Sequence, residues 1–202
     1  MAGRIHDATL YLLALVWCLF GLIYLFGRRG AAPQTTNTAR SARSRAGIAL
    51  QLLGYGIAFV VERPPDAPIV PMSGTANGLL LAAASLAGLA SIALCHLAAR
   101  TLGRQWSMAA RVVAGHELIE RGPFSLVRNP IYLAMFGLVV HAGLVLSTWE
   151  AAVAAMAVFL SGTWIRIHEE EQILRRQFGA AFDDYARRVP AFFPALRSRT
   201  PS

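Results

Sequence analysis

Between Gly115 and Tyr132 the chain reads GHELIERGPFSLVRNPIY, a polar segment punctuated by Gly122, Pro123 and Pro130. It stops where a long apolar run begins, Pro130 to Trp149, and a second run, Ala151 to Ile165, follows almost at once. A second charged block then extends from Arg166 to Pro190. Little more than Ser147, Thr148, Trp149 and Glu150 separates the two apolar runs, so they are expected to form a tight antiparallel helical hairpin. Such a hairpin returns the second charged block to the end where the first one lies, and the two are expected to form a single site at one face of a membrane.

The remainder of the chain fits a membrane class. Hydrophobic residues make up 55% of the sequence and its mean hydropathy is +0.48, more than a soluble surface tolerates. Ala8 to Gly27 is uncharged over 20 residues, about the number a helix needs to cross a hydrocarbon core of roughly 30 Å. No small-residue cleavage site follows a short apolar core, so this run reads as a retained span rather than a signal peptide. Ala46 to Val61 is a shorter uncharged run whose flanking Arg45 and Glu62 can snorkel. Pro64, Pro65, Pro68 and Pro71 exclude a helix after it. In the third run, Gly74 to Ala99, the small residues Ala84, Gly88 and Ser91 form either a close helix-packing face or part of a general alanine richness. His141 is costly if it faces lipid, so it is expected to point into the bundle, near substrate or in a helix-to-helix hydrogen bond. Trp149 at the hairpin turn suits an interfacial aromatic belt. Cys18 and Cys95 sit inside apolar runs as packing residues, and neither a disulfide framework nor a metal site is expected.

The net charge of +8 comes entirely from arginine, since the chain has no lysine. Of the 19 arginines only Arg4 and Arg63 lie outside three segments, 28–45, 100–128 and 166 onward. With five spans those segments share one side, which the positive-inside rule makes cytoplasmic, with the amino terminus outside and the carboxyl terminus inside a cell (inner) membrane. Topology and membrane lipids thus account for the basic residues, and no aromatic-interleaved basic face points to nucleic acid.

From Ile167 the apolar residues 167, 174, 178, 182, 185 and 189 recur with helical spacing. At about 100° per residue they cluster on one side, with Glu171 inside the cluster, Glu170 at its edge and Glu169 pointing away. A carboxylate on that side needs a partner, from Arg128 or from a bound polar molecule. The alternative for this segment is an amphipathic helix lying on the cytoplasmic leaflet.

The motifs resemble the isoprenylcysteine carboxyl methyltransferase family over about Gly103 to Pro194. The resemblance rests on His116-x-Leu118, on Gly122-Pro123-Phe124, on Arg128-Asn129-Pro130-Ile131-Tyr132, and on Glu170-Glu171 followed by Leu174, Phe178-Gly179, Phe182, Tyr185 and Arg188-Val189-Pro190. Asn129 stands where that family most often has His, and Phe124 and Phe182 each replace a frequent Tyr, deleting a hydroxyl.

The five apolar runs predict an all-α integral membrane protein with five transmembrane helices, and the resemblance adds a cytoplasmic C-terminal amphipathic helix packing over a cofactor pocket. Residues 1–99 would supply spans at about 8–27, 46–61 and 76–98 with an Arg-rich loop. Residues 100–194 would form the catalytic region: a connector, a hairpin at about 130–147 and 150–167, and a helix at about 168–188 before a tail, 195–202. It also implies S-adenosylmethionine as methyl donor, S-adenosylhomocysteine as product, and a lipophilic substrate, a prenylated cysteine or a lipid. The default acceptor is the α-carboxylate of an isoprenylcysteine, the alternative a phospholipid amine, and a non-enzymatic membrane bundle is the competing class. By matching position, His116, Leu118, Arg128, Asn129, Pro130, Tyr132, Glu170, Glu171, Tyr185 and Arg188 would bind the cofactor, with Arg128 and Glu171 as the catalytic pair. No metal enters this scheme, and no oligomeric state is assigned.

Overall fold

The computed structural model describes residues 2–30, 42–64, 67–103 and 117–194. Its long elements are helices: α1 (Ala2–Gly30), α2 (Ala42–Val60), α3 (Gly74–Leu102), α4 (Pro130–Leu146), α5 (Trp149–Phe178) and α6 (Ala180–Arg188), with a 3-10 turn at Gly122–Ser125 ahead of α4. Local chemistry sets their ends. The Ser73 hydroxyl accepts from the Ala76 amide to cap α3, and Gly103, with φ of 52°, closes it. Pro130 occupies the first turn of α4, where its missing N–H costs nothing. The turn of the hairpin is only Ser147 and Thr148. Thr148 caps α5 by accepting from the Ala151 amide, and Glu150 in the first turn complements the helix dipole.

One sequence expectation needs correcting. The fifth run and the charged helix at 168–188 are not separate elements, because α5 continues unbroken from Trp149 to Phe178. No glycine or proline interrupts the sequence between Ile165 and Phe178, so the helix carries Arg166, Glu170 and Glu171 straight out of the apolar run. The break comes at Gly179, whose φ of 52° suits glycine, and α6 follows as a short amphipathic helix. Likewise α2 begins at Ala42, inside the arginine-rich segment, and α3 runs on to Leu102.

Among the described residues, three helices are long and apolar enough to cross a membrane, at Asp7–Phe26, Gly74–Leu102 and Trp149–Phe178, and α4 is a shorter apolar helix. Large apolar side chains stand exposed along the outside, among them Leu15, Phe26, Leu52, Leu79, Leu86 and Val153. Water-soluble surfaces rarely expose so many large apolar side chains along whole helices. The chain is a helical membrane protein.

Packing order does not follow chain order: α1 sits mainly on α3, α3 on α4, and α2 on α5, with α4 also touching α1 and α2. Small residues set the two closest seams. Ala84, Gly88 and Ser91 are all buried, and a Cβ on Gly88 would stand 2.8 Å from the His141 ring. His141 is fully buried, and its Nδ1 lies 2.9 Å from the Ala84 carbonyl, so it does join two helices. On the other seam, Gly47 and Gly54 of α2 meet Gly162, Ala155 and Phe159 of α5 so closely that backbone atoms touch.

The end of the bundle formed by the C-termini of α2 and α4 is tied by hydrogen bonds. The Ser147 hydroxyl donates to the Ala58 carbonyl at 2.8 Å, and the Arg63 guanidinium donates to the carbonyls of Leu144 and Val145 that close α4. The opposite end, where α4 begins and α5 runs out, carries Arg128, Arg166, Glu170 and Glu171.

Candidate functional site

At that charged end Arg128 and Glu171 meet. Arg128 Nε donates to Glu171 Oε1 and Nη2 to Oε2, each at 2.9 Å, the paired geometry that a guanidinium and a carboxylate share. Their side chains are only 12% and 14% exposed. Arg128 Nη1 donates to the carbonyl of Ala186 at 3.0 Å and also to that of Val189. One side chain therefore fastens the segment before α4 to α5 and to the end of α6. The backbone strengthens this joint, with the amides of Arg128 and Asn129 donating to the carbonyls of Pro190 and Ala191. The Asn129 carboxamide donates to Glu171 Oε1 at 3.3 Å and to the Ala191 carbonyl at 2.9 Å.

Glu170 has different partners. Its Oε1 accepts from the Tyr132 hydroxyl and from Arg166 Nη2, the latter at 3.0 Å. The guanidinium of Arg166 lies over the Tyr132 ring, 5.0 Å from its centroid. The Glu170 side chain is 23% exposed, which makes it the more open of the two glutamates. Phe192 and Ile167 pack with Tyr132, and Phe192 in turn meets Phe136 and Phe193 edge-on and Trp164 at a tilt. A polar centre thus adjoins an aromatic wall between α4 and α5.

The remaining residues named from sequence lie on a second patch. Leu118 packs against Phe182, Tyr185 and Val189. Tyr185 donates to the Phe124 carbonyl at 2.6 Å, and burial, more than any neighbouring charge, holds its hydroxyl above the usual tyrosine pKa. Arg188 is half-exposed and pairs with Glu120 at 2.7 Å and with Asp184 at 3.1 Å, so it braces the connector against α6. Pro130 is buried at the root of α4. His116 lies outside the described residues. The structure therefore brings Arg128, Asn129, Pro130, Tyr132, Glu170 and Glu171 together, with Tyr185 on the buried face of α6 against Leu118 and Arg188 on its outer side.

Two replacements for family tyrosines are also placed. Phe182 is fully buried with the Arg175 guanidinium 5.3 Å from its ring, and Phe124 serves through its backbone carbonyl. Tyr185→Phe is accordingly expected to leave that carbonyl without its donor and to cost about 1–3 kcal/mol. Thermal unfolding in detergent measures it, and an unchanged midpoint would contradict a structural role for the hydroxyl.

Three residues of the same centre escaped the sequence reading. Gln51, Thr163 and Arg166 are buried. Gln51 Nε2 donates to Thr163 Oγ1 at 2.9 Å, and Arg166 Nη1 donates to Gln51 Oε1 at 3.3 Å. A signal was present: Gly47, Gln51, Gly54 and Ala58 recur at helical spacing along one face of α2, and all four are buried.

Comparison with known proteins bears on this geometry. A nickel-cobalt-cadmium resistance protein of Alcaligenes xylosoxydans xylosoxydans is 38% identical over 114 residues, 54% of this chain and 52% of that protein. A cobalt-zinc-cadmium resistance protein of Cupriavidus metallidurans is 36% identical over 100 residues, 48% of this chain and 44% of that protein. The chain thus spans about half the length of these curated relatives. Among the described residues no group of three His, Cys, Asp or Glu side chains is placed to hold a metal ion. The isoprenylcysteine carboxyl methyltransferase (ICMT) family matches residues 83–176, from within α3 to the last turn of α5. The stretch that holds Arg128, the α4–α5 hairpin and the paired glutamates belongs to the isoprenylcysteine carboxyl methyltransferase family.

Proposed function

We propose that the protein is an integral membrane methyltransferase that uses S-adenosylmethionine to methylate a lipophilic acceptor at the cytoplasmic face. The observation that carries this reading is the paired Arg128–Glu171 contact, which joins the two flanks of the hairpin into one polar end beside Glu170. In this reading α2 and α4 complete five spans, and the arginine distribution sets the amino terminus outside.

The donor set suits an adenosyl amino acid. Arg128 has five N–H donors, four of them directed at Glu171, Ala186 and Val189, so one on Nη2 remains for a ligand carboxylate. Glu170, partly open, is suited to an ammonium or to ribose hydroxyls. Leu118 packs on the buried face of α6, from which Tyr185 reaches the Phe124 carbonyl, Arg188 ties the outer face of α6 to Glu120, and His116 belongs to the same motif set. When bound, S-adenosylmethionine supplies an electrophilic methyl group on a sulfonium. The protein's own residues orient the reactants and shield them, the aromatic wall of Phe136, Trp164 and Phe192 lying where an apolar tail would rest.

A carboxylate acceptor needs no proton removed, so positioning supplies most of the rate. An amine acceptor must lose a proton, and Glu171, with both oxygens engaged by Arg128, is poorly placed to take it. The favoured acceptor is therefore a lipophilic carboxylate, with the α-carboxylate of an isoprenylcysteine as the first to test. Membranes containing the protein are incubated with methyl-labelled S-adenosylmethionine and N-acetyl-S-farnesylcysteine. The expected product loses its label to mild base as methanol. Label that survives mild base assigns the acceptor to amines, and no label in any lipid extract overturns the enzymatic reading.

A further inference from the structure

Arg166 is a cation within the helical bundle, its side chain 6% exposed, and a guanidinium buried there is costly unless its charge is countered and its terminal nitrogens find acceptors, as Nη1 and Nη2 do. Part of its seat comes from α2, which lies wholly outside the family segment. Gly47 makes the room: a Cβ there would fall 2.7 Å from Arg166 Cγ. One helical turn on, Gln51 receives Arg166 Nη1 on its Oε1 while its Nε2 is engaged by Thr163. The other end of the same guanidinium meets Glu170, and its face covers Tyr132. A chain of contacts thus runs from an amide on α2 to the more open of the two site carboxylates.

We propose that Gln51 is a positioning residue for the adenosyl ligand: its carboxamide oxygen holds Arg166 so that Arg166 and Tyr132 together fix the orientation of the Glu170 carboxylate. The proposal rests on the methyltransferase reading above and extends the working site beyond the family segment, giving the N-terminal helices a part in binding as well as in anchoring. It also separates the two faces of the amide. The oxygen acts toward the ligand through Arg166, and the nitrogen only ties α2 to α5.

The test is titration of the full-length protein in detergent with S-adenosylhomocysteine, using Gln51→Leu and Gln51→Glu. Gln51→Leu keeps the volume and removes the acceptor, and it is expected to weaken binding about 10- to 100-fold, the range for a group misplaced by an ångström or so. Gln51→Glu restores an acceptor for Arg166 and is expected to recover most of the affinity, with the Thr163 hydroxyl now donating. A role confined to helix packing predicts that both variants lose affinity in step with their thermal midpoints. The second readout is the guanidinium nitrogen spectrum of arginine-labelled protein, with Arg166→Lys identifying the Arg166 signals. Separate Nη signals in the wild type and in Gln51→Glu, merged in Gln51→Leu, are expected. Signals that stay separate in Gln51→Leu overturn the proposal, because Gln51 then acts by another route. Undiminished affinity in Gln51→Leu also overturns it. A wild type that binds no S-adenosylhomocysteine removes the methyltransferase reading and the proposal together, a result distinct from a binding wild type with an equally binding Gln51→Leu.

Discussion

Glu171→Ala is expected to abolish measurable S-adenosylhomocysteine binding and to lower the thermal midpoint sharply. Glu171 takes two hydrogen bonds from Arg128 in a setting that is about one-eighth exposed, so its loss leaves a guanidinium without its counter-charge. Breaking one side of such a pair costs about 3–5 kcal/mol. The damage spreads, because the same guanidinium holds the carbonyls of Ala186 and Val189 and thereby the end of α6. Arg128→Ala should be as severe, and Arg128→Lys nearly so, since an ammonium cannot supply the fork that reaches Glu171 and two carbonyls together. The double variant Arg128→Ala/Glu171→Ala should be less harmful to stability than the sum of the singles, by about 0.5–3 kcal/mol of coupling. Calorimetric titration and thermal denaturation in detergent measure both effects. Wild-type affinity in both single variants would sink the assignment of this site.

Gly162→Val is expected to prevent formation of the folded bundle. A Cβ at Gly162 would lie 2.9 Å from the Gln51 amide nitrogen and closer still to the Gly47 carbonyl oxygen. Both are backbone atoms, so no side-chain rotation relieves the contact and α2 must move off α5. Overpacking typically costs about 1–3 kcal/mol and more where the backbone itself must shift. Here it would also pull Gln51 away from Thr163 and Arg166. Gly56→Ala is the control, since a Cβ there meets nothing within 4 Å. Size-exclusion profile and thermal midpoint in detergent separate them, and a monodisperse, normally stable Gly162→Val would contradict a backbone-to-backbone seam between α2 and α5.

The contrast between what the residues announced and what they concealed follows from the kind of information periodicity holds. The hairpin was legible because two apolar runs were separated by a turn too short for anything else, and His141 was legible because a histidine among apolar residues has few places to go. The inward aspect of Glu170 and Glu171 follows from spacing within one helix, and with it the need of Glu171 for a partner such as Arg128. The partnership of α2 with α5 was hidden, because a pattern along one helix identifies a face and not what covers it. The same limit concealed the route from Gln51 through Arg166 to Glu170, although Gly47, Gln51, Gly54 and Ala58 had the spacing to draw attention. The continuity of α5 was missed for another reason. A change from apolar to charged residues looks like a boundary, but a helix ends where the backbone must turn, and here that is Gly179.

The two-residue turn at Ser147 and Thr148 has a consequence for angular register. With no slack between α4 and α5, the direction in which Glu170 and Glu171 face is set by the count of residues from Arg128 onward. Each residue added or removed within either helix turns everything beyond it by about 100° and shifts it by about 1.5 Å, enough to carry both carboxylates away from Arg128 and Tyr132. Length variation compatible with this site is therefore confined to the chain outside Arg128–Glu171, and the hairpin acts as a fixed angular gauge between the two halves of the charged end.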